Sequence, residues 1–161
     1  LIYLQVYTSA SQFYKYYNIR SKMKLKSHVL ASIIFSTLFF VIFKSWKISV
    51  YSFLSGVLID CDHIFDYCWG HRRRFRIKEF FDVYHNNKAL LFITVFHSWE
   101  LLALLSICAF LMSWDPWIVG VTIGFAQHIV LDQIFNKAGR LTYFFFWRMK
   151  NGFDMKKICQ N

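Results

Sequence analysis

Four stretches of the chain are almost free of charge, and polar residues gather at their edges. Residues 29–43 form an uncharged run bounded by Lys26 and Lys44. Residues 48–59 form a second, ending in an acidic cluster. The longest run, 89–112, is apolar except for His97, Glu100 and a few small polar groups. The fourth, Pro116–Phe135, is interrupted by Gln127, His128, Asp132 and Gln133. A membrane-crossing helix needs about 20 mostly apolar residues, within a range of about 17–25. The last two runs meet that length as they stand. The first two reach it by borrowing flanking residues, as 27–46 and 46–65. The pattern predicts an all-α, polytopic membrane protein with about four transmembrane helices in an antiparallel bundle. A soluble bundle would need polar faces at 3.6 spacing, and residues 29–43 offer only Ser32, Ser36 and Thr37.

Composition agrees with the pattern. The 161 residues are 57% hydrophobic and 21% aromatic, with a single proline. Charged residues make up 17%, against about 25% in an ordinary soluble domain. These figures speak against a soluble enzyme, a disordered chain and a disulfide-rich secreted module, and the length gives one domain.

The net charge of +10 would suit nucleic acid, but its distribution points elsewhere. Lys15, Arg20, Lys22, Lys24 and Lys26 precede the first run, and only Lys44 and Lys47 separate the first from the second. Arg72, Arg73, Arg74, Arg76, Lys78 and Lys88 lie between the second and third. Residues 113–116 carry no basic residue, and Lys137, Arg140, Arg148, Lys150, Lys156 and Lys157 follow the fourth. This alternation is the positive-inside pattern of four spans with both termini cytoplasmic. No specific nucleic-acid binding is expected. Trp46, Trp69, Trp114, Trp117 and Trp147 fall near the predicted span ends, as an interfacial aromatic belt requires. Residues 143–147 are aromatic but too short to cross, and predict an interfacial helix.

The expected organisation is a polar extension at 1–22, a four-span membrane domain at 23–135, and a basic aromatic tail at 136–161, partly interfacial. Met23 followed by Lys24 and Lys26 resembles a natural start, so 1–22 reads either as an upstream extension or as sequence preceding the true start. No small-residue cleavage site follows the first span, which predicts a retained signal anchor. Cys61, Cys68 and Cys159 would face a reducing cytoplasm and Cys108 lie within a span, so structural disulfides are not expected.

Ionisable side chains inside spans are expensive and mark function by default. His28 opens the first span. Asp60, Asp62, His63 and Asp66 close the second. His97 and Glu100 fall in the third, and His128 and Asp132 in the fourth. At 1.5 Å per residue, His97 would lie about 12 Å inside its span, His128 about 10 Å and Asp132 about 5 Å, all in the cytoplasmic half. His128 and Asp132 are i,i+4; His97 and Glu100, and Asp60 and His63, are i,i+3, so each pair shares a helix face. Helix bundles build metal sites from such inward-facing pairs. The candidate ligands are therefore His28, Asp60, Asp62, His63, His97, His128 and Asp132. Imidazole plus carboxylate favours zinc, with manganese or iron(II) as alternatives, over calcium. Seven candidates are many for one ion, so one or two divalent ions are expected, with Asp60 or Asp62 as the bridge.

Blander assignments compete. A lone span histidine is more often an interhelical hydrogen bond than a ligand. The three acids could line a solvated loop, and Glu100 could pair with Arg140 or a lysine. Cys61, His63, Cys68 and His71 could also form a small zinc knuckle, although their spacing matches no common finger. His71 and Arg72–Arg74 could be an exposed basic loop or meet anionic head groups. His85 is expected at the surface or in a lid.

At these residues the chain resembles the YdjM-type family of bacterial inner-membrane, metal-dependent hydrolases. Ser27-His28, with Met23 as start, is similar to the family's first element. Gly56-Val57-Leu58-Ile59-Asp60-Cys61-Asp62-His63 is similar to the second, with Ile59 where proline is usual. Phe96-His97-Ser98 and Gly124-Phe125-Ala126-Gln127-His128-Ile129-Val130-Leu131-Asp132 resemble the third and fourth. The resemblance covers about 23–135. One departure is that His71-Arg72-Arg73 lies 26 residues before His97, whereas many members place His-Arg-Gly directly before the His-Ser motif. The resemblance implies metal-assisted hydrolysis at the cytoplasmic side of a bacterial inner membrane. The substrate would be an ester or phosphoester, lipid-like because of the depth, and Glu100 would be the general base. Lipid and a divalent metal are the expected partners, with room for self-association. The competing functions are non-enzymatic: an ion or proton carrier, or a metal-stabilised scaffold for a cytoplasmic partner.

Overall fold

The structure, a computed structural model, describes residues 25–71, 75–85, 91–136 and 139–158. The extension at 1–22, Met23, Arg72–Arg74, Lys88 and Cys159 lie outside them. Among the described residues every regular element is a helix, with one isolated bridge between Leu91 and Asp154. In chain order the helices are α1 (Leu25–Phe43), α2 (Trp46–Leu58), a 3₁₀ turn (Ile59–Asp62), α3 (His63–His71), α4 (Ile77–His85), α5 (Trp99–Leu111), α6 (Pro116–Phe135), α7 (Phe145–Lys150) and α8 (Met155–Ile158).

Among the described residues three segments are long and apolar enough to cross a membrane: Lys26–Phe43, Trp46–Trp69 and Pro116–Phe135. The second runs through α2, the 3₁₀ turn and into α3, so it gains its length by continuing past the acidic cluster. Pro116 opens α6 where its missing N–H costs nothing, and the Asp115 side chain caps the Trp117 N–H. α1 reverses into α2 through Lys44, at φ 50°, and Ser45, which caps α2. α5 reverses into α6 through Ser113 and Trp114, both at positive φ.

The third run differs from expectation. Helix α5 spans 13 residues, about 20 Å, short of a bilayer core of about 30 Å. Residues 91–98 are not helical, so His97 lies before α5 rather than inside a span. The cause is tertiary. Asp66 accepts from the N–H groups of Ile93 and Thr94, each at 3.0 Å, and Asp62 accepts from Phe96 N–H at 2.6 Å. These donors are satisfied without helix. Ser98 then starts the helix, its side chain accepting from Leu101 N–H.

The helices pack inside out relative to a soluble bundle. α1 buries His28, Ser32 and Ser36, one face at i,i+4 spacing, and exposes Leu30, Ile34 and Ile42 at 58–59%. α2 buries Ile48, Ser52 and Gly56. α6 buries Gly120, Gly124, Gln127, His128 and Asp132. Small and polar residues inside, large apolar residues outside, is the packing of helices in lipid. α2 and α6 run parallel. Gly120 meets Ile48 and Tyr51, Gly124 meets Ser52 and Ser55, and Gly56 faces Gly124. A Cβ on Gly124 would collide with the Ser52 carbonyl oxygen, and one on Gly120 would reach the Ile48 oxygen at 2.7 Å. Gly120-x-x-x-Gly124 therefore sets the distance between these helices.

Gly124→Ala should destabilise the fold by about 1–3 kcal/mol through overpacking, read as a lower unfolding temperature by circular dichroism in detergent. An unchanged transition would show that the two backbones are not this close.

Candidate metal centre

Each element delivers its polar residues to one place. α1 brings His28, the 3₁₀ turn Asp60 and Asp62, and α3 His63 and Asp66. The irregular segment brings His97, and α6 brings His128 and Asp132. The tighter 3₁₀ winding between α2 and α3 turns neighbouring acids to different tasks; short 3₁₀ stretches inside helices often mark functional sites.

Asp60 is the hub. Its Oδ1 lies 3.4 Å from His128 Nε2, 3.5 Å from His97 Nε2 and 3.9 Å from His63 Nε2. Asp132 closes the inner side: Oδ1 is 3.1 Å from His28 Nε2, and Oδ2 is 3.7 Å from His97 Nε2 and 3.8 Å from His128 Nε2. The His28 and His128 rings stack with centroids 4.3 Å apart. Three overlapping groups of donors could hold an ion: His28, Asp60 and His128; Asp60, His63 and His97; and His97, His128 and Asp132. Two ligand atoms about 2.1 Å from one tetrahedral ion lie about 3.4 Å apart. The imidazole–carboxylate separations run from 3.1 to 3.9 Å, and the donor atoms within each group lie within 4.8 Å of one another, a spacing that a shared divalent cation could draw in.

Tautomer and orientation favour coordination. His128 Nδ1 lies 2.8 Å from the Gly56 carbonyl oxygen, which holds the ring proton there and leaves the Nε2 lone pair facing Asp60. Close α2–α6 packing makes that contact possible. Asp62 stands behind His97, with Oδ2 3.8 Å from Nδ1, and Asp66 behind His63, with Oδ2 3.9 Å from Nδ1. Carboxylates placed behind ligating imidazoles fix the ring and raise its basicity. His97 Nδ1 and Nε2, His128 Nε2, His28 Nδ1 and Asp60 Oδ2 are buried without a hydrogen-bond partner. Orphaned polar atoms of this kind are costly, and two of them, His97 Nε2 and His128 Nε2, face the Asp60 carboxylate together.

The sequence candidates thus divide. His28, Asp60, His63, His97, His128 and Asp132 are brought together as possible ligands. Asp62 is beside them but belongs to none of the three groups. Glu100 is placed elsewhere. Its two carboxylate oxygens accept the Phe145 and Phe146 N–H groups at 2.9 and 3.1 Å, which caps α7. The expected His97–Glu100 face is lost because His97 precedes the helix. Among the described residues the three metal-capable groups contain no cysteine, and Cys61 is exposed. The side chains of His71 and His85 lie outside the described residues.

Sequence reasoning did not single out the carbonyl of Gly56, the clamp made by Asp66, or Arg148. Arg148 is fully buried and donates to Thr94 Oγ1 at 2.7 Å and to the His97 carbonyl at 2.9 Å. Burial draws its pKa down to about 10 against the pull of Asp66, Glu100 and Asp62, so it is charged at neutral pH. Tyr84 roofs His63, its hydroxyl donating to the His63 carbonyl at 2.9 Å. Burial pushes that hydroxyl's pKa up, so the donor proton is retained.

Comparison with protein-family models, curated proteins and solved structures finds no match to this chain.

Elemental analysis of the detergent-purified protein should find a divalent metal that falls at least tenfold in His128→Ala. Glu100→Gln should keep its metal and lose about 1 kcal/mol of stability through the weakened cap. Metal loss in Glu100→Gln equal to that in His128→Ala would put Glu100 in the centre.

Proposed function

We propose that this protein is a membrane-embedded, metal-dependent hydrolase that cleaves an ester or phosphoester at the cytoplasmic side of a bacterial inner membrane, as the resemblance to the YdjM-type family implies. The observation that carries the proposal is the convergence of three overlapping His/Asp donor groups on Asp60, His97 and His128. A bound zinc, manganese or iron(II) ion would polarise the scissile bond and lower the pKa of a bound water. Asp60, shared by two of the groups, is the bridge if two ions bind.

The chain's own residues supply position and access. Asp60 and His63 keep 18% and 23% of their side chains exposed, whereas His97 and His128 keep none. The cluster is therefore reached from the Asp60–His63 side, beneath Tyr84. With Glu100 engaged as a cap, no proton-transfer role is assigned to it.

In the proposed topology α5 is a short fourth span, giving four antiparallel helices with both termini cytoplasmic. Irregular backbone at membrane depth is tolerated only where protein groups satisfy it, and Asp62 and Asp66 do so for the N–H groups of Ile93, Thr94 and Phe96. The exposed apolar faces of α1 and α5 would then contact lipid. The site's depth favours a lipid-like substrate.

In mixed micelles containing amphiphilic esters and phosphoesters, the zinc-loaded protein should turn over at least one substrate. A chelator should abolish turnover and zinc restore it, while Asp60→Asn should lower it at least a hundredfold. Absence of turnover by the metal-loaded protein across that panel would favour the scaffold or carrier function. For topology, a cysteine replacing Asp115 in a cysteine-free background should react with an impermeant thiol reagent from outside. One replacing Arg76 should react only after permeabilisation, and the reverse would invert the orientation.

A further inference from the structure

The segment that carries His97 is held from both directions along the chain, by Asp62 and Asp66 before it and by residues 143–153 after it. Its N–H groups are taken by Asp66, Asp62 and, at Phe92, by the Phe153 carbonyl at 2.9 Å. Trp99 N–H is held by the Tyr143 carbonyl at 3.0 Å. Those contacts fix the segment's outline. The carbonyl of His97 itself accepts from Arg148 on α7, and the same guanidinium grips Thr94 three residues earlier.

Burying an arginine is expensive, and a well-packed apolar residue in its place is often neutral or stabilising. Arg148 is nonetheless fully buried, its guanidinium lying 4.8 Å from the Phe92 ring centroid and 5.7 Å from that of Phe145. Its planar fork addresses two acceptors at once in a fixed geometry, where a lysine offers a compact point charge on a flexible stem. Glu100 completes the arrangement by capping the helix on which Arg148 stands. From this geometry we infer that Arg148 is a positioning residue for the centre, fixing the His97 imidazole against Asp60 and Asp132 through the His97 carbonyl. The α7 region is thereby a working part of the site rather than a tail beside it.

The metal readout of this inference rests on the function proposed above; the backbone readout does not. Hydrogen exchange of peptides covering 91–99, measured on the metal-free protein in detergent, should accelerate at least tenfold in Arg148→Gln and by less in Arg148→Lys. Exchange in α1 and α2 should stay at the wild-type rate. Zinc affinity should fall about 10–100-fold in Arg148→Gln, as expected for loss of a group that orients a ligand, with partial rescue in Arg148→Lys. The visible spectrum of the cobalt-loaded protein should shift in the same order. Arg76→Gln, on an exposed pair with Glu79, should change none of these. Unchanged exchange at 91–99 in Arg148→Gln would overturn the inference. So would exchange that accelerates equally throughout the chain in both variants, which would make Arg148 a general structural residue. If the wild-type protein binds no zinc, the proposed function fails while the exchange result still decides the role of Arg148.

Discussion

Four carboxylates and four imidazoles share a small, nearly dry volume, and their mutual geometry does not satisfy them. Most of the imidazole–carboxylate separations exceed 3.3 Å, and several of the nitrogens and oxygens have no hydrogen-bond partner at all. With neutral imidazoles the acids carry uncompensated charge; with protonated ones the stacked rings of His28 and His128 repel. A divalent cation resolves both problems at once, since it neutralises the acids and uses the imidazole lone pairs. The surrounding structure makes sense as a device for creating and holding this constellation.

Three features serve it. The glycines of α2 and α6 let the two backbones approach until the Gly56 carbonyl reaches His128 and sets its tautomer. The 3₁₀ turn splits the acids, so that Asp60 faces the imidazoles while Asp62 turns to the backbone of residue 96. The irregular segment 91–98 carries His97 to the same point, tied on one flank by Asp62 and Asp66 and on the other by Arg148. The outer faces are rich in exposed Leu, Ile, Val and Phe and the inner faces are not, the distribution that suits helices surrounded by lipid.

Much of this was legible in the chain because apolar runs and the imidazoles that interrupt them are local signals. α6 lies where its pattern puts it, Pro116 included. The continuation of the second run past Asp60 follows from its need for length. Six of the seven candidate ligands meet because each breaks an otherwise apolar face. The third run misled because residues 91–98 are apolar and continuous with α5 although rich in β-branched and aromatic residues, and carboxylates 27–34 positions away take the N–H groups of residues 93, 94 and 96. Glu100 is one turn from His97 in an ideal helix, but its partners lie 45 and 46 positions along the chain. Arg148 reads as the basic flank of an aromatic run, and nothing local reveals that it turns inward. Ser98, a good N-cap residue directly before α5, was a usable sign of where that helix starts, and Gly120-x-x-x-Gly124 a usable sign of close helix packing.

The most direct test is X-ray absorption spectroscopy at the zinc edge on the zinc-loaded, detergent-purified protein. A first shell of nitrogen and oxygen only, at about 2.0–2.2 Å with imidazole multiple scattering, is the predicted result. A shell containing sulfur at about 2.3 Å, or a zinc that stays hydrated without imidazole, would contradict a centre built from Asp60, His97 and His128.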